Sequence, residues 1–93
     1  MPVELSYTYF AERLHARFDL PAHPGVTLEL CEVERSAATL PGHDAFTLLF
    51  RGPLPALPQS IRTLAGGGQE PLELFLVPVA QVGDAIHYQA IFN

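Results

Sequence analysis

The sequence predicts an all-β domain of about six antiparallel strands, forming a small barrel or strongly curled sheet, with one short N-terminal helix. Three observations carry this. Apolar residues alternate with polar ones at the two-residue period of a strand in several short runs. Those runs are separated by Gly- and Pro-rich turn signals at close spacing, the pattern of sandwiches and small barrels. One run, Leu72–Val79, is apolar on both faces and is the natural central strand, covered on both sides by the others.

Taken in order, Ser6–Arg13 reads as a helix of about two turns. Ser6 or Thr8 can cap it, and Phe10 and Leu14 would share a face at i, i+4. In Leu14–Leu20, Leu14, Ala16, Phe18 and Leu20 alternate with His15, Arg17 and Asp19, a half-buried strand. Pro21-Ala-His-Pro-Gly25 then breaks the chain into a hairpin turn. Val26–Glu34 alternates again, with Val26, Leu28 and Leu30 inward. The phase slips at Cys31 and Val33, which predicts a β-bulge near Cys31.

Arg35–Asp44 is a loop, and Ala45–Arg51 a strand with Phe46, Leu48 and Phe50 on one face. Gly52–Pro58 carries three prolines and reads as a polyproline-like surface loop, tacked down by Leu54 and Leu57. Gln59–Ala65 is a short strand, and Gly66-Gly67-Gly68 a tight turn. Leu72–Val79 follows and is ended by Pro78. Val82-Gly83-Asp84 turns the chain into Ala85–Phe92, with Ile86, Tyr88, Ala90 and Phe92 inside and His87 and Gln89 outside.

The bulk numbers exclude several classes. Ninety-three residues make one domain with one core. The hydrophobic fraction is 48% and the charged fraction 16%, well below the usual quarter, so the surface keeps apolar area free for a partner. The net charge is −5, with five Arg, no Lys and no basic cluster, which argues against nucleic acid and anionic membranes. A single cysteine permits no intrachain disulfide. The first residues lack the basic and apolar regions of a signal peptide, and no run reaches the roughly 20 apolar residues of a membrane span. A cytoplasmic protein is the expectation, and export by a signal-independent machine fits the same features.

Four motifs, F-T-L-L-F-R-G-P (Phe46–Pro53), L-P-Q (Leu57–Gln59), L-E-L-F-L-V-P-V (Leu72–Val79) and Y-Q-A-I-F-N (Tyr88–Asn93), together resemble a family of small bacterial proteins known as a domain of unknown function. The likeness is close over the C-terminal half and looser over the N-terminal half. The chain departs from it after L-P-Q, where Ser60-Ile61-Arg62 stands in place of Gly-x-aromatic. The resemblance implies a compact single β domain. It also implies genes lying beside phage-tail-collar or microcystin-dependent-type proteins, which are fibre-like. It carries over no catalytic residue.

Residues able to do chemistry are sparse. His15, His23, His43 and His87 show no metal-ligand spacing. His15 and His87 could form a two-His site only if the first and last strands were adjacent. Cys31 lies in an apolar strand, where cysteine is usually an inert small hydrophobe. Glu29, Glu32 and Glu34 are the densest acids, with Glu32 and Glu34 on one face, and read as a solvated surface beside Arg35. Gly66–Gly68 lacks the Lys, Ser/Thr and helix of a phosphate-binding loop. Pro55-Ala-Leu-Pro58 matches P-x-x-P, a match frequent by chance. Arg51 is expected to pair with Asp44 or Glu73.

No catalytic, cofactor-binding or metal site is therefore assigned, and no cofactor is expected. The leading expectation is a non-catalytic interaction or assembly protein, binding a protein partner or itself through open sheet edges. The alternative is a ligand-binding barrel with Phe46, Phe50 and Tyr88 lining its pocket, and an enzyme ranks last.

Overall fold

The computed structural model describes residues 6–35, 45–66 and 69–92. It is a closed antiparallel barrel in the order β1-β2-β3-β6-β5-β4, preceded by one short helix. Leu28, Leu30, Leu48, Phe50, Leu64 and Leu74, drawn from the inward faces of four strands, fill the core.

Helix α1 spans Tyr7–Ala11, and Ser6 is its N-cap, accepting from Tyr9 N at 3.1 Å. It ends before the predicted Arg13. The Arg13 guanidinium folds back instead, donating to Tyr9 O at 2.7 Å and lying 3.7 Å over the Tyr9 ring. Phe10 is fully buried and packs against Phe46 and Phe92, which stack at 4.5 Å. The helix thus stoppers one end of the barrel. Leu14 does not share this face. It lies past the helix and is exposed.

Strand β1 is only Arg17–Asp19, shorter than the predicted Leu14–Leu20. His15 takes a left-handed φ of 73°, which turns the chain and breaks the expected alternation at Leu14. The pairing with β2 nevertheless starts early, through His15 N to Leu30 O (2.6 Å) and Leu30 N to Ala16 O (3.0 Å). From there the period holds, with Phe18 and Leu20 buried.

Strand β2, Thr27–Arg35, contains the predicted bulge: its register against β3 shifts between Leu30 and Glu32. The predicted loop that follows lies outside the described residues, apart from Arg35, the last residue of β2, and Ala45. Strand β3, Phe46–Pro53, overturns one boundary, because Gly52 and Pro53 belong to the strand and pair with Ile86 and Ala85. Pro53 is tolerated there because the β2 ladder has already ended at Arg51↔Glu29. Gly52 is buried, and a side chain there would strike Leu28. Of the two leucines expected to hold the following loop, Leu57 does so, while Leu54 is exposed.

Strand β4, Ser60–Gly66, matches its prediction within a residue. Strand β5 is long, Gln69–Val82. It pairs with β4 from Gln69 to Leu76 and with β6 from Val77 to Val82. Pro78 does not end it; a register shift between Pro78 and Ala80 accommodates the proline. The expected coverage of both faces is not met. Leu72, Leu74 and Leu76 enter the core, whereas Phe75 is 48% and Val79 49% exposed. The barrel is a single closed layer, so one face of each strand meets the interior and the other meets solvent. Strand β6, Ala85–Phe92, has the predicted bounds and facing, with Ile86, Tyr88 and Ala90 buried.

The ring closes between β1 and β4 through one pair, Asp19↔Ala65. The open sheet edges expected from the sequence thereby shrink to this short seam. Gly66 beside it has φ +139°, and a Cβ there would lie 3.1 Å from Arg17 O, so the closure requires glycine. Beyond the ladder, the Arg62 guanidinium ties the seam, 2.9 Å from His23 Nε2 and 2.6 Å from Pro58 O. Among the described residues no charged side chain is buried, and no helix is long and apolar enough to cross a membrane.

Candidate interaction surface

The outward side chains divide the barrel into two unlike walls. On β1, β2, β3 and β6 one row runs across the ladder: Arg17 opposite Glu29, Glu29 opposite Arg51, Arg51 opposite His87. Charges alternate over its first three members, Arg17, Glu29 and Arg51, the favourable arrangement for cross-strand neighbours. Glu29 also meets His15 Nδ1 at 3.2 Å, and Nδ1 must donate because a carboxylate only accepts. Thr27 Oγ1 donates to Asp19 at 3.0 Å. Arg17, Glu29, Arg51 and Asp84 line an open groove of about 260 Å³. Its two cations and two carboxylates leave little net field for a charged ligand, and the hydroxyl in its lining, that of Thr27, is the one that donates to Asp19.

The other wall is formed by β4, β5 and β6. Ile61 on β4 stands opposite Phe75 on β5, both facing solvent, at 66% and 48% exposure. Val77 pairs with Gln89, and two residues farther along β6 comes Ile91, 61% exposed. Val79 extends the stripe along β5. Glu73, opposite Thr63, lies at one end and half-buried His87 at the other. Between them the wall presents no charge.

The four motifs now have places: Phe46–Pro53 is β3, Leu57–Gln59 lies in the loop before β4, Leu72–Val79 is the middle of β5, and Tyr88–Phe92 is most of β6. A family model described as "Domain of unknown function (DUF6916)" matches residues 5–92, the whole barrel and its helix. The chain belongs to the DUF6916 family. Comparison of this DUF6916 domain with curated proteins and with solved structures gives no match.

The remaining candidate residues of the DUF6916 barrel do not converge. His15 and His87 are kept apart, because β2 and β3 lie between β1 and β6 in the ring. His23 Nε2 lies within hydrogen-bond distance of Arg62 and, being the only possible acceptor of that pair, accepts the bond that the guanidinium donates. His43 falls outside the described residues. Among the described residues no group of three or more His, Cys, Asp or Glu could hold a metal ion. Cys31 sits half-buried at the bulge, and its thiol donates to Leu49 O at 3.3 Å. Burial pushes its pKa above the ordinary value, with the Glu32 and Glu29 carboxylates adding to the rise and a backbone hydrogen bond and Arg51 opposing it. The thiolate is therefore disfavoured at neutral pH.

Glu32 and Glu34 are both exposed, as expected, and Arg35 lies 4.2 Å over the Tyr7 ring. Of the triple glycine only Gly66 is described. Within Pro55–Pro58, Leu57 N donates to Tyr88 Oη at 2.8 Å, which anchors the loop to β6. Of the expected partners of Arg51, Asp44 is outside the described residues and Glu73 stands on β5 opposite Thr63, while the ladder neighbours of Arg51 are Glu29 and His87. Phe46, Phe50 and Tyr88 are all packed into the core, and Phe50 meets Phe18 edge-on at 6.0 Å.

Sequence reasoning missed the uncharged wall although its signal was present. The two-faced apolar character of Leu72–Val79 predicts burial on both sides, whereas Phe75 and Val79 face solvent. It missed the Arg62–His23 tie because nothing local links residues 39 positions apart.

Proposed function

We propose that this DUF6916 domain is a non-catalytic interaction and assembly module that acts as an accessory of fibre-like proteins of the phage-tail-collar type. The observation that carries the reading is the exposed Ile61–Phe75 pair at the centre of an uncharged wall. Apolar side chains held in solvent by a rigid ladder contribute nothing to the core and weaken solubility, and such patches commonly mark protein contacts. The fibre-like partner comes from the gene neighbourhood that the family resemblance implies. The scattered histidines, the protonated Cys31 thiol and the self-neutralised groove support the non-catalytic part.

The test is co-purification of the domain with the product of the adjacent gene, with Phe75→Glu as the control. Complex formation lost in the variant is the expected result. A strict monomer at high concentration that captures no product of a neighbouring gene would sink the proposal.

A further inference from the structure

We infer that the uncharged wall of β4, β5 and β6 is a self-association surface, and that its occupant is a second copy of this chain. The inference rests on the assembly reading above and names a partner for the same face. It is carried by area, by charge and by the arrangement of polar residues around the patch.

Ile61, Phe75, Val79 and Ile91 are each about half to two-thirds exposed. Together they offer roughly 400 Å² of apolar surface, the size of the largest patches on ordinary monomers, which are often functional. A stable pair buries about 800 Å² per partner, an apolar centre within a polar rim. Here the rim exists. Thr63 and Glu73 lie at one end of the stripe, His87 and Gln89 along its β6 side. The apolar centre supplies about half of that area, with the polar rim around it.

Charge selects the second copy and this wall. The chain carries −5, so two copies repel unless they meet where charge is absent. Asp19, Glu29, Glu32 and Glu34 on β1 and β2 outnumber Arg17 and Arg35 on the same strands, and a symmetric contact there would double that acidic excess. On the opposite wall a two-fold contact sets Phe75 and its neighbours against the same residues of the partner, with no like charges opposed at the centre. Two sheets can pack face to face in this way about 10 Å apart.

Sedimentation equilibrium across micromolar to near-millimolar protein is the test, on wild type, Phe75→Glu, Ile91→Lys and, on the charged wall, Arg17→Glu. The expected result is a concentration-dependent dimer for wild type and Arg17→Glu, and a loss of at least tenfold in association for both wall variants. Circular dichroism identifies folded variants, and two exposed positions are used so that a misfolded one does not decide the outcome. A wild type that stays monomeric throughout, a dimer unaffected by both wall variants, or a dimer abolished by Arg17→Glu would each overturn the inference. If the wild type is monomeric yet binds the adjacent gene's product through Phe75, the assembly reading stands and only the second copy falls.

Discussion

Gly52→Ala tests whether strand β3 truly continues past Arg51 into the packed barrel. An added Cβ would lie 2.4 Å from Leu28 Cδ2 and 3.5 Å from Tyr88 Cε2. Unstrained carbon contacts sit near 3.5–4.0 Å, so Leu28 must retreat by about 1 Å. Leu28 is 1% exposed and lies opposite buried Phe18, so the retreat disturbs the core. Overpacking of this kind costs about 1–3 kcal/mol, against about 0.5–1 kcal/mol that alanine regains over glycine in a strand. The net expectation is a loss of about 1–2 kcal/mol, or roughly 4–8 °C in Tm per kcal/mol for a chain of this size.

Urea unfolding read by circular dichroism measures this loss, and Leu28→Ala supplies the control. That variant alone should cost about 2–5 kcal/mol, since it opens a cavity. In its background the Gly52→Ala methyl enters vacated space, so the second change should be neutral or stabilising, with a coupling above about 1 kcal/mol. If Gly52→Ala is tolerated within about 0.5 kcal/mol, or costs the same in both backgrounds, Gly52 is not packed against Leu28 and the strand assignment fails.

Leu74→Asp should abolish folding, because Leu74 is 4% exposed in the core and Arg62 opposite it is already held by His23 and Pro58; a dispersed proton NMR spectrum from that variant would refute its placement. Tyr88→Phe should cost about 1–2 kcal/mol by leaving the half-buried Leu57 N–H unpaired. Hydrogen exchange at Leu57 should accelerate, and unchanged exchange would show that the hydroxyl is not its acceptor. Cys31 should react with iodoacetamide more slowly in the native protein than in urea at pH 8, since its pKa is raised by burial first and Glu32 second. The unfolded thiol loses its proton first, so stability should fall as pH rises above 9.0; equal rates in both states at pH 8 would contradict this.

How far the chain was legible depended on whether local periodicity or long-range geometry decided each element. The bulge at Cys31 could be read because Leu28 and Leu30 keep one phase and the residues after them another, and a phase slip has one structural solution. The bounds of Ala85–Phe92 could be read because a turn glycine precedes a clean alternation. Gly52-Pro53 misled because proline marks a loop by its missing donor, and that loss is harmless at a strand end whose β2 neighbour has already stopped. Leu14 misled because the left-handed turn at His15 has no signature in the side chains around it. For the surface, hydropathy identified Leu72–Val79 as apolar on both faces but carried no information on what covers each. A single-layer ring leaves one of those faces to solvent.

That geometry also changes how a partner would bind. The sequence pointed to pairing at open edges, where a row of free N–H and C=O groups receives a new strand. Closure at Asp19↔Ala65, tied further by Arg62, leaves little such edge on the described β1–β4 seam. Arg62 follows the inward phase of β4, opposite Leu74, and an inward-pointing charge is a recognised guard against strand addition. What the barrel offers instead is a set of side chains on a rigid wall. Glu73 and the irregularity at Pro78 interrupt the longest apolar run in the chain, as residues that suppress non-specific stacking do. A contact made there is face to face and depends on the shape of Phe75, Ile61 and Ile91. Substituting outward residues of β5 should therefore alter association at constant stability, whereas inward residues of the same strand should alter stability first.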